Sequence, residues 1–176
     1  MNIYADRGNL LMLRRRCEWR GIGFALSGSG LEAPLSGDEA DLYYIGGGQD
    51  RDQVLCAADM LEHKAGGLRR AAERGAVVLA VCGGYQLLGH SYQLGDETLP
   101  GIGLLDIETV RADGPRLIGN VAISVELPDA GTRTLAGFEN HGGRTELVAG
   151  TQPFGTVLKG HGNNGSSGAE GARAGN

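Results

Sequence analysis

The sequence has few cysteines, no long apolar run and no excess of positive charge. Its cysteines are Cys17, Cys56 and Cys82, an odd number without C-x-x-C spacing, which fits neither a disulfide framework nor a zinc site. The longest apolar runs, such as 76–82, are far shorter than the ~20 residues of a membrane span, and no signal peptide is recognised. The formal net charge of -5 argues against nucleic acid or an anionic membrane as the main partner. We therefore expect a cytoplasmic protein with reduced thiols.

Glycine, in contrast, is abundant. The chain has 32 glycines among 176 residues, where an average usage of ~7% would give about a dozen. Part of this excess lies from Gly160 onward, in a segment without apolar periodicity, which is typical of flexible chain. The length fits one domain. We therefore predict a domain over residues 1–160 and a flexible, Gly-rich tail over 161–176.

The first half of the chain shows the rhythm of an α/β protein. Apolar spacing predicts a helix over 9–19, short strands over 23–26 and 41–45, a helix over about 50–74 interrupted at Gly66-Gly67, and a strand over 76–82. The apolar face predicted for the long helix comprises Val54, Leu55, Ala58, Leu61, Leu68 and Ala72. This alternation predicts a mainly parallel sheet, with ligand groups at the carboxyl ends of its strands.

The second half shows a different pattern. Segments 104–110, 117–127, 134–139 and 156–159 read as strands joined by short turns. No helix long enough for a crossover separates them, so antiparallel pairing is the simpler topology. We predict an antiparallel β extension.

The residue with the clearest chemical signal is Cys82. It follows an apolar run and precedes Gly83-Gly84 and a Leu-containing segment, an order that predicts a strand, a tight turn and a helix. Such a turn exposes a nucleophile, and the adjoining helix N-terminus favours the thiolate. Cys17 and Cys56 fall within predicted helices and are read as small packed residues.

A second glycine turn, Gly46–Gly48, also follows a predicted strand. If the two turns face each other, the N–H groups of Gly47 or Gly48 and of Gly83 converge on an oxyanion beside the Cys82 sulfur. The alternative, two ordinary turns, stays open at this point. No G-x-x-x-x-G-K-[ST] or G-x-G-x-x-G pattern follows Gly46, so the turn is not a phosphate loop.

A cysteine nucleophile of this kind needs a base, usually a histidine. The chain offers His63, His90, His141 and His161. Only His141 lies in a loop whose composition resembles a site, beside Gly142-Gly143. None of the four is a convincing catalytic base from sequence alone.

Several segments together resemble a known family. They are 2–9 (NIYADRGN), 15–21 (RRCEWRG), 46–53 (GGGQDRDQ), 82–89 (CGGYQLLG), 116–120 (RLIGN) and 137–145 (GFENHGGRT). In this order they resemble the class I, cobyric acid synthase-like glutamine amidotransferases. More narrowly, they resemble the glutaminase subunits of bacterial lipid II isoglutaminyl synthases, which pair with a MurT-like Mur ligase subunit. The fold implied is a flavodoxin-like, three-layer α/β sandwich.

The resemblance implies that Cys82 attacks the carboxamide of L-glutamine and releases ammonia through a glutamyl thioester. It places Gly47 or Gly48 with Gly83 at the oxyanion hole, Gln86 beside the pocket and Arg116 on the substrate, where a guanidinium suits the α-carboxylate. Ammonia then passes to the partner ligase, which uses ATP and Mg to amidate the D-glutamate of the lipid II stem peptide. This chain is expected to hold no cofactor and no metal.

Two features of the family are not found in this sequence. The resemblance implies a catalytic histidine in a T-Y-L-H-G segment soon after a stretch like 162–165, and a β-strand before residue 2. We therefore expect a fragment truncated at both ends and weakly active or inactive by itself, with Glu139 as a weak candidate for the triad acid. The alternatives are a non-catalytic scaffold subunit of the same fold and an amidotransferase serving a cobyrinate-type synthase.

Overall fold

The computed structural model describes residues 6–48, 50–128, 130–148 and 150–175. Its contacts divide the chain into two compact units, Met1–Tyr85 and Gln86–Asn176, and the domain boundary expected at 160/161 stays a prediction. Within the described ranges, no helix has the length and apolar character needed to cross a membrane.

The first unit alternates helices and strands. Its helices are α1 (Asp6–Glu18), α2 (Asp50–Asp59), α3 (Ala65–Glu73) and the start of α4 (Gly83–Leu87), and a π-helical turn over Met60–Lys64 joins α2 to α3. Strands β1 (Leu42–Ile45) and β2 (Val77–Ala80) pair in parallel, with Tyr43 opposite Val78. This arrangement confirms the predicted helix at 9–19, both strands and the parallel βαβ order.

Two details of the first unit differ from the sequence-based expectations. Residues 23–26 form no strand, and none of the described strands pairs with them; a lone strand is not stable in water. The expected break at Gly66-Gly67 is also wrong. The helix runs through both glycines, and its distortion lies one turn earlier, in the π-helical segment Met60–Lys64.

The buried face of α2 and α3 is rotated from the predicted one. Val54, Leu55 and Leu61 are exposed, as are Ala58 and Ala72, so this prediction holds for Leu68 alone. The buried side is formed instead by Gln53, Cys56, Ala57, Met60, Lys64, Ala65, Leu68 and Ala71. The π-helical turn adds a residue between α2 and α3, and polar partners bring Gln53 and Lys64 inside.

Lys64 shows how a polar residue fits this buried side. Its side chain is 10% exposed and its Nζ lies 3.2 Å from a carboxylate oxygen of Asp59. The same Nζ donates to the carbonyl oxygens of Gly30, at 2.9 Å, and Ala33. Lys64 therefore holds the long segment before β1 against the helix, and its charge is neutralised where it is buried.

The second unit consists of β-strands arranged in two four-stranded sheets. One sheet has the order β10-β9-β6-β7 and the other β4-β3-β5-β8. The strands are β3 (Ser91–Leu94), β4 (Glu97–Pro100), β5 (Ile107–Arg111), β6 (Leu117–Leu127), β7 (Gly131–His141), β8 (Gly143–Leu147), β9 (Gly155–Lys159) and β10 (Ala169–Glu170). All neighbours pair antiparallel except β3 and β5, which confirms the predicted antiparallel extension; sequence reading missed β3, β4, β8 and β10.

The segment expected to be a flexible tail is hydrogen-bonded over much of its length. β10 pairs with β9, and Gln152 forms an isolated bridge with Arg173. The buried Asn163 side chain accepts from the Gly171 N–H at 2.8 Å and donates to the Gly171 carbonyl at 3.0 Å. Side-chain to backbone bonds, and not an apolar stripe, order these residues, which is why apolar periodicity did not reveal them.

Candidate functional site

Cys82 lies on a sharp turn between β2 and α4. The Val81 N–H still donates to the Ile45 carbonyl of the sheet at 3.0 Å, and the Gly84 N–H closes the turn on the Val81 carbonyl at 3.1 Å. Cys82 itself is exposed and has a φ of 56°; among the described non-glycine residues only Glu32 shares a positive φ. Such a conformation costs of order 1–3 kcal/mol. The predicted strand, turn and helix are confirmed, with the thiol on the strained residue.

Close backbone packing explains why a glycine follows the thiol by two positions. A Cβ on Gly84 would lie 2.7 Å from the Gly46 carbonyl oxygen and 2.8 Å from that of Ile45. Any side chain there would push α4 away from the end of β1. The two glycine turns are therefore in contact with each other at the carboxyl ends of the parallel strands.

Gly47 borders the thiol directly. A Cβ on Gly47 would lie 3.0 Å from the Cys82 Cβ and 3.2 Å from its Sγ, so the bare α-carbon leaves the sulfur accessible from this side. Gly83 is the first residue of α4, and its N–H has no intrahelical acceptor. The arrangement suits N–H donors converging beside the sulfur, and the oxyanion role of Gly47, Gly48 and Gly83 stays a prediction.

Gln53 joins the two turns, and sequence reading gave it no role. Its side chain is almost fully buried, with 3% of the residue exposed. The Nε2 group donates to the Gly48 carbonyl at 3.2 Å, and a Cβ on Gly83 would lie 2.8 Å from the same nitrogen. A glutamine four residues into a helix carries no local signal for this position, because the contact follows from tertiary packing.

The remaining thiols differ from Cys82 in their surroundings. Cys56 is buried in α2, as the sequence predicts. Burial, assisted by the charges of Asp52 and Asp59, raises the pKa of the Cys56 thiol. The thiolate is the reactive form, so Cys56 is suited to packing and not to attack.

The second unit holds the residues predicted to bind substrate. The Arg116 guanidinium donates from Nε to the Asn140 Oδ1 at 2.9 Å and from Nη2 to the Asn140 carbonyl at 3.0 Å. A Cβ on Gly142 would lie 3.4 Å from Arg116 Nη1, and one on Gly143 would lie 3.1 Å from Gln86 Nε2. Arg116 and Gln86 thus flank the same glycine pair, and their substrate-binding roles stay predictions.

His141 and Glu139 lie at the end of β7 in this unit. The His141 Nδ1 lies 2.8 Å from the Gly143 carbonyl, so Nδ1 carries the proton and, in the neutral ring, Nε2 is the basic nitrogen. The His141 Nε2 lies 4.0 Å from Glu139 Oε2, too far for a hydrogen bond. The structure therefore does not pair these two candidates as a base and its orienting acid.

The Glu139 carboxylate has other partners. It is buried, and its two oxygens accept from the backbone N–H groups of His161 at 2.8 Å and Gly162 at 2.9 Å. Glu139 thus ties the 160–162 turn to β7. Burial, together with the charge of Glu139, raises the pKa of Glu170 nearby.

His63 and His90 have local partners. His90 Nε2 lies 3.0 Å from the Asp106 carboxylate, and His63 Nε2 lies 3.7 Å from that of Glu62. The predicted site residues thus fall into two groups. Gly47, Gly48, Cys82 and Gly83 come together in the first unit, and Gln86, Arg116, Glu139 and His141 lie in the second.

Comparisons with known proteins give this arrangement a context. The family model of the CobB/CobQ-like glutamine amidotransferase domain matches residues 1–176. The GatD subunit of the glutamine-hydrolyzing lipid II isoglutaminyl synthase of Staphylococcus aureus is 39% identical over 172 residues, which cover 97% of this chain and 68% of that protein. The corresponding subunit of Streptococcus pneumoniae is 37% identical over 165 residues, which cover 93% of this chain and 62% of that protein.

Similarity extends more weakly to another group of enzymes. The cobyric acid synthase of Pelotomaculum thermopropionicum is 40% identical over 116 residues, which cover 57% of this chain and 21% of that enzyme. The family match spans every described element, including the turn that carries Cys82. The chain therefore belongs to the CobB/CobQ-like glutamine amidotransferases and has their class I amidotransferase fold.

Proposed function

We propose that this chain is the glutamine-hydrolysing subunit of a lipid II isoglutaminyl synthase, with Cys82 as its nucleophile. The observation that carries the proposal is the exposed Cys82 thiol on its left-handed turn, bordered by the bare α-carbon of Gly47 and followed by the first turn of α4. The match to two GatD subunits over more than nine-tenths of the chain supports the choice of reaction.

The reaction proceeds in two acyl-transfer steps. The Cys82 sulfur bonds to the carboxamide carbon of L-glutamine, and the N–H groups of Gly47 or Gly48 and of Gly83 stabilise the resulting oxyanion. The carbon–nitrogen bond breaks, and the proton of the thiol passes through a base to the leaving nitrogen, which departs as ammonia. Water then adds to the glutamyl thioester, which collapses to glutamate and the free thiol.

We assign substrate binding to Arg116 and Gln86. Arg116 presents a guanidinium fork beside Gly142, which suits the α-carboxylate of glutamine, and Gln86 Nε2 lies beside Gly143. Asn140 holds two of the guanidinium nitrogens, which orients the fork before substrate arrives.

The ammonia is used by a partner. A MurT-like Mur ligase subunit activates the α-carboxylate of the D-glutamate in the lipid II stem peptide with ATP and Mg, and ammonia converts it to D-isoglutamine at the cytoplasmic side. Cofactors thus belong to the partner subunit. The match to a cobyric acid synthase covers 57% of the chain, against 97% for the Staphylococcus GatD, which favours the cell-wall substrate over a cobyrinate.

The test uses the complete enzyme with its ligase subunit, ATP, lipid II and glutamine labelled with ¹⁵N in the amide. We expect ¹⁵N in D-isoglutamine with the natural chain and none with Cys82→Ala. Ammonium chloride restores amidation in the Cys82→Ala enzyme, since the ligase is intact, and Cys17→Ala serves as the matched thiol control. Equal glutamine-dependent labelling in the Cys82→Ala enzyme would show that the subunit is a scaffold.

A further inference from the structure

The buried amide of Gln53 is unusual for a helix that otherwise buries small and apolar side chains beside it, such as Cys56 and Ala57. Its Nε2 donates to the Gly48 carbonyl. No donor from the described part of the chain reaches its Oε1 atom, which is fully shielded from solvent. A buried carbonyl oxygen without a partner costs about 1–3 kcal/mol, and an apolar side chain of the same length avoids that cost. Among the described residues, the hydrogen bond of the amide is thus the one that its nitrogen donates to Gly48.

The orientation of the Gln53 amide is fixed by its surroundings. The Gly48 carbonyl only accepts hydrogen bonds, so Nε2 must face it; the reversed amide sets two oxygens against each other. The side chain also packs against Gly83, whose added Cβ would lie 3.0 Å from Gln53 Cδ. One side chain thus contacts the turn beside the thiol and the residue that follows the thiol.

We propose that Gln53 is a positioning residue that sets the spacing of the two glycine turns around Cys82. Gln53 holds the Gly48 peptide by a hydrogen bond and packs against Gly83. These two contacts orient the N–H groups of the turns toward the carbonyl oxygen of a bound acyl group. Gln53 does not touch the reacting atoms itself. The inference rests on the proposed function, because it assigns a role in the same acyl-transfer site.

The test measures covalent trapping by a chloroketone analogue of L-glutamine, in which CH₂Cl replaces the amide nitrogen. The Cys82 sulfur displaces chloride to form a thioether, and the thiol proton goes to solvent. In the complete enzyme, the rate of adduct formation is measured against the chloroketone concentration, which gives a limiting rate and a half-saturating concentration. Iodoacetamide, which has no glutamine-like part, measures the exposure and reactivity of the thiol alone.

For Gln53→Met, which keeps the length and removes the amide, we expect the limiting rate to fall about tenfold, the effect of one lost hydrogen bond of about 1.4 kcal/mol. The half-saturating concentration and the iodoacetamide rate stay within about twofold. Gln53→Leu, which removes the Nε2 donor without adding a charge beside the thiol, gives the same result and decides the matter if the methionine variant does not fold. Gln93→Met is the matched control, since the Gln93 amide also bonds to backbone, at Arg111 N, but in the other unit.

Each other outcome overturns a specific claim. An unchanged limiting rate in a folded Gln53 variant contradicts the positioning role. An equal fall in the iodoacetamide rate shows that Gln53 acts on the thiol or on folding and also contradicts it. If the natural enzyme itself shows no saturation with the chloroketone while iodoacetamide still labels Cys82, the proposed glutaminase function fails first, and the role of Gln53 with it.

Discussion

The left-handed backbone at Cys82 makes a prediction about stability that is independent of catalysis. We compare Cys82→Gly with Cys82→Ala, because the two variants lack the thiol equally and differ only in the Cβ. At a φ of 56° the alanine keeps a strain of about 1–2 kcal/mol that glycine does not have. Glycine loses roughly 0.5–1 kcal/mol through its greater freedom in the unfolded chain. The net expectation is that Cys82→Gly is more stable by about 0.5–1 kcal/mol.

The same pair of substitutions at Cys56 is the matched control. Cys56 lies inside α2, where glycine is about 1 kcal/mol worse than alanine, so the sign of the difference reverses. Urea unfolding is followed by circular dichroism. The difference in the free energy of unfolding between the Gly and Ala variants at each position is calculated from their midpoints with a common dependence on urea concentration. If Cys82→Gly is less stable than Cys82→Ala, the strained turn that exposes the thiol is not the native conformation.

Three further predictions follow from the contacts. Gly47→Ala brings a methyl group against Cys82 and lowers the iodoacetamide rate at that thiol about tenfold or more, measured by mass spectrometry. Lys64→Met leaves Asp59 buried without its cation and lowers the free energy of unfolding by about 3–5 kcal/mol, measured with urea. Burial and a neighbouring carboxylate raise the pKa of Glu170 above its usual 4.5, so the folded state favours the neutral acid. The folded state therefore loses stability as the pH rises from the pKa of Glu170 in the unfolded chain to its pKa in the folded chain. Glu170→Gln therefore raises the midpoint of urea unfolding at pH 7 to 8, and this gain disappears below about pH 4.5.

Two of these changes have a control in the chain. Gly28→Ala adds a methyl group in open space and leaves the Cys82 alkylation rate unchanged. Lys159→Met removes an exposed cation and changes the free energy of unfolding by less than about 0.5 kcal/mol. A pH-independent effect of Glu170→Gln contradicts the raised pKa, and equal costs for the two lysine variants contradict the buried role of Lys64.

The sequence predicted those parts of the fold that local patterns determine. β1, β2 and β6 follow from apolar and β-branched runs, and the turn at Cys82 follows from the glycines after it. The contact between the two glycine turns was one of two alternatives that the sequence left open, since parallel strands bring their carboxyl ends to one edge; the structure shows that the turns touch.

The remaining features depend on partners that are distant in sequence. Lys64 is buried because carbonyls of Gly30 and Ala33 receive it, and no helical pattern encodes that contact. The segment after Gly160 is ordered by the Glu139 carboxylate, which accepts from the N–H groups of His161 and Gly162, by Asn163 and by the pairing of β10 with β9. Gln53 was missed for the same reason, since a polar residue in a helix is by default assigned to solvent.

Trapping of the Cys82 thiol is the most direct test of whether this residue attacks glutamine. The complete enzyme is treated with the glutamine-like chloroketone with and without excess L-glutamine, and the modified peptide is identified by mass spectrometry. We predict a single adduct on Cys82 that forms with saturation and is suppressed by L-glutamine. An adduct on Cys17 or Cys56, or one on Cys82 that L-glutamine does not suppress, contradicts it.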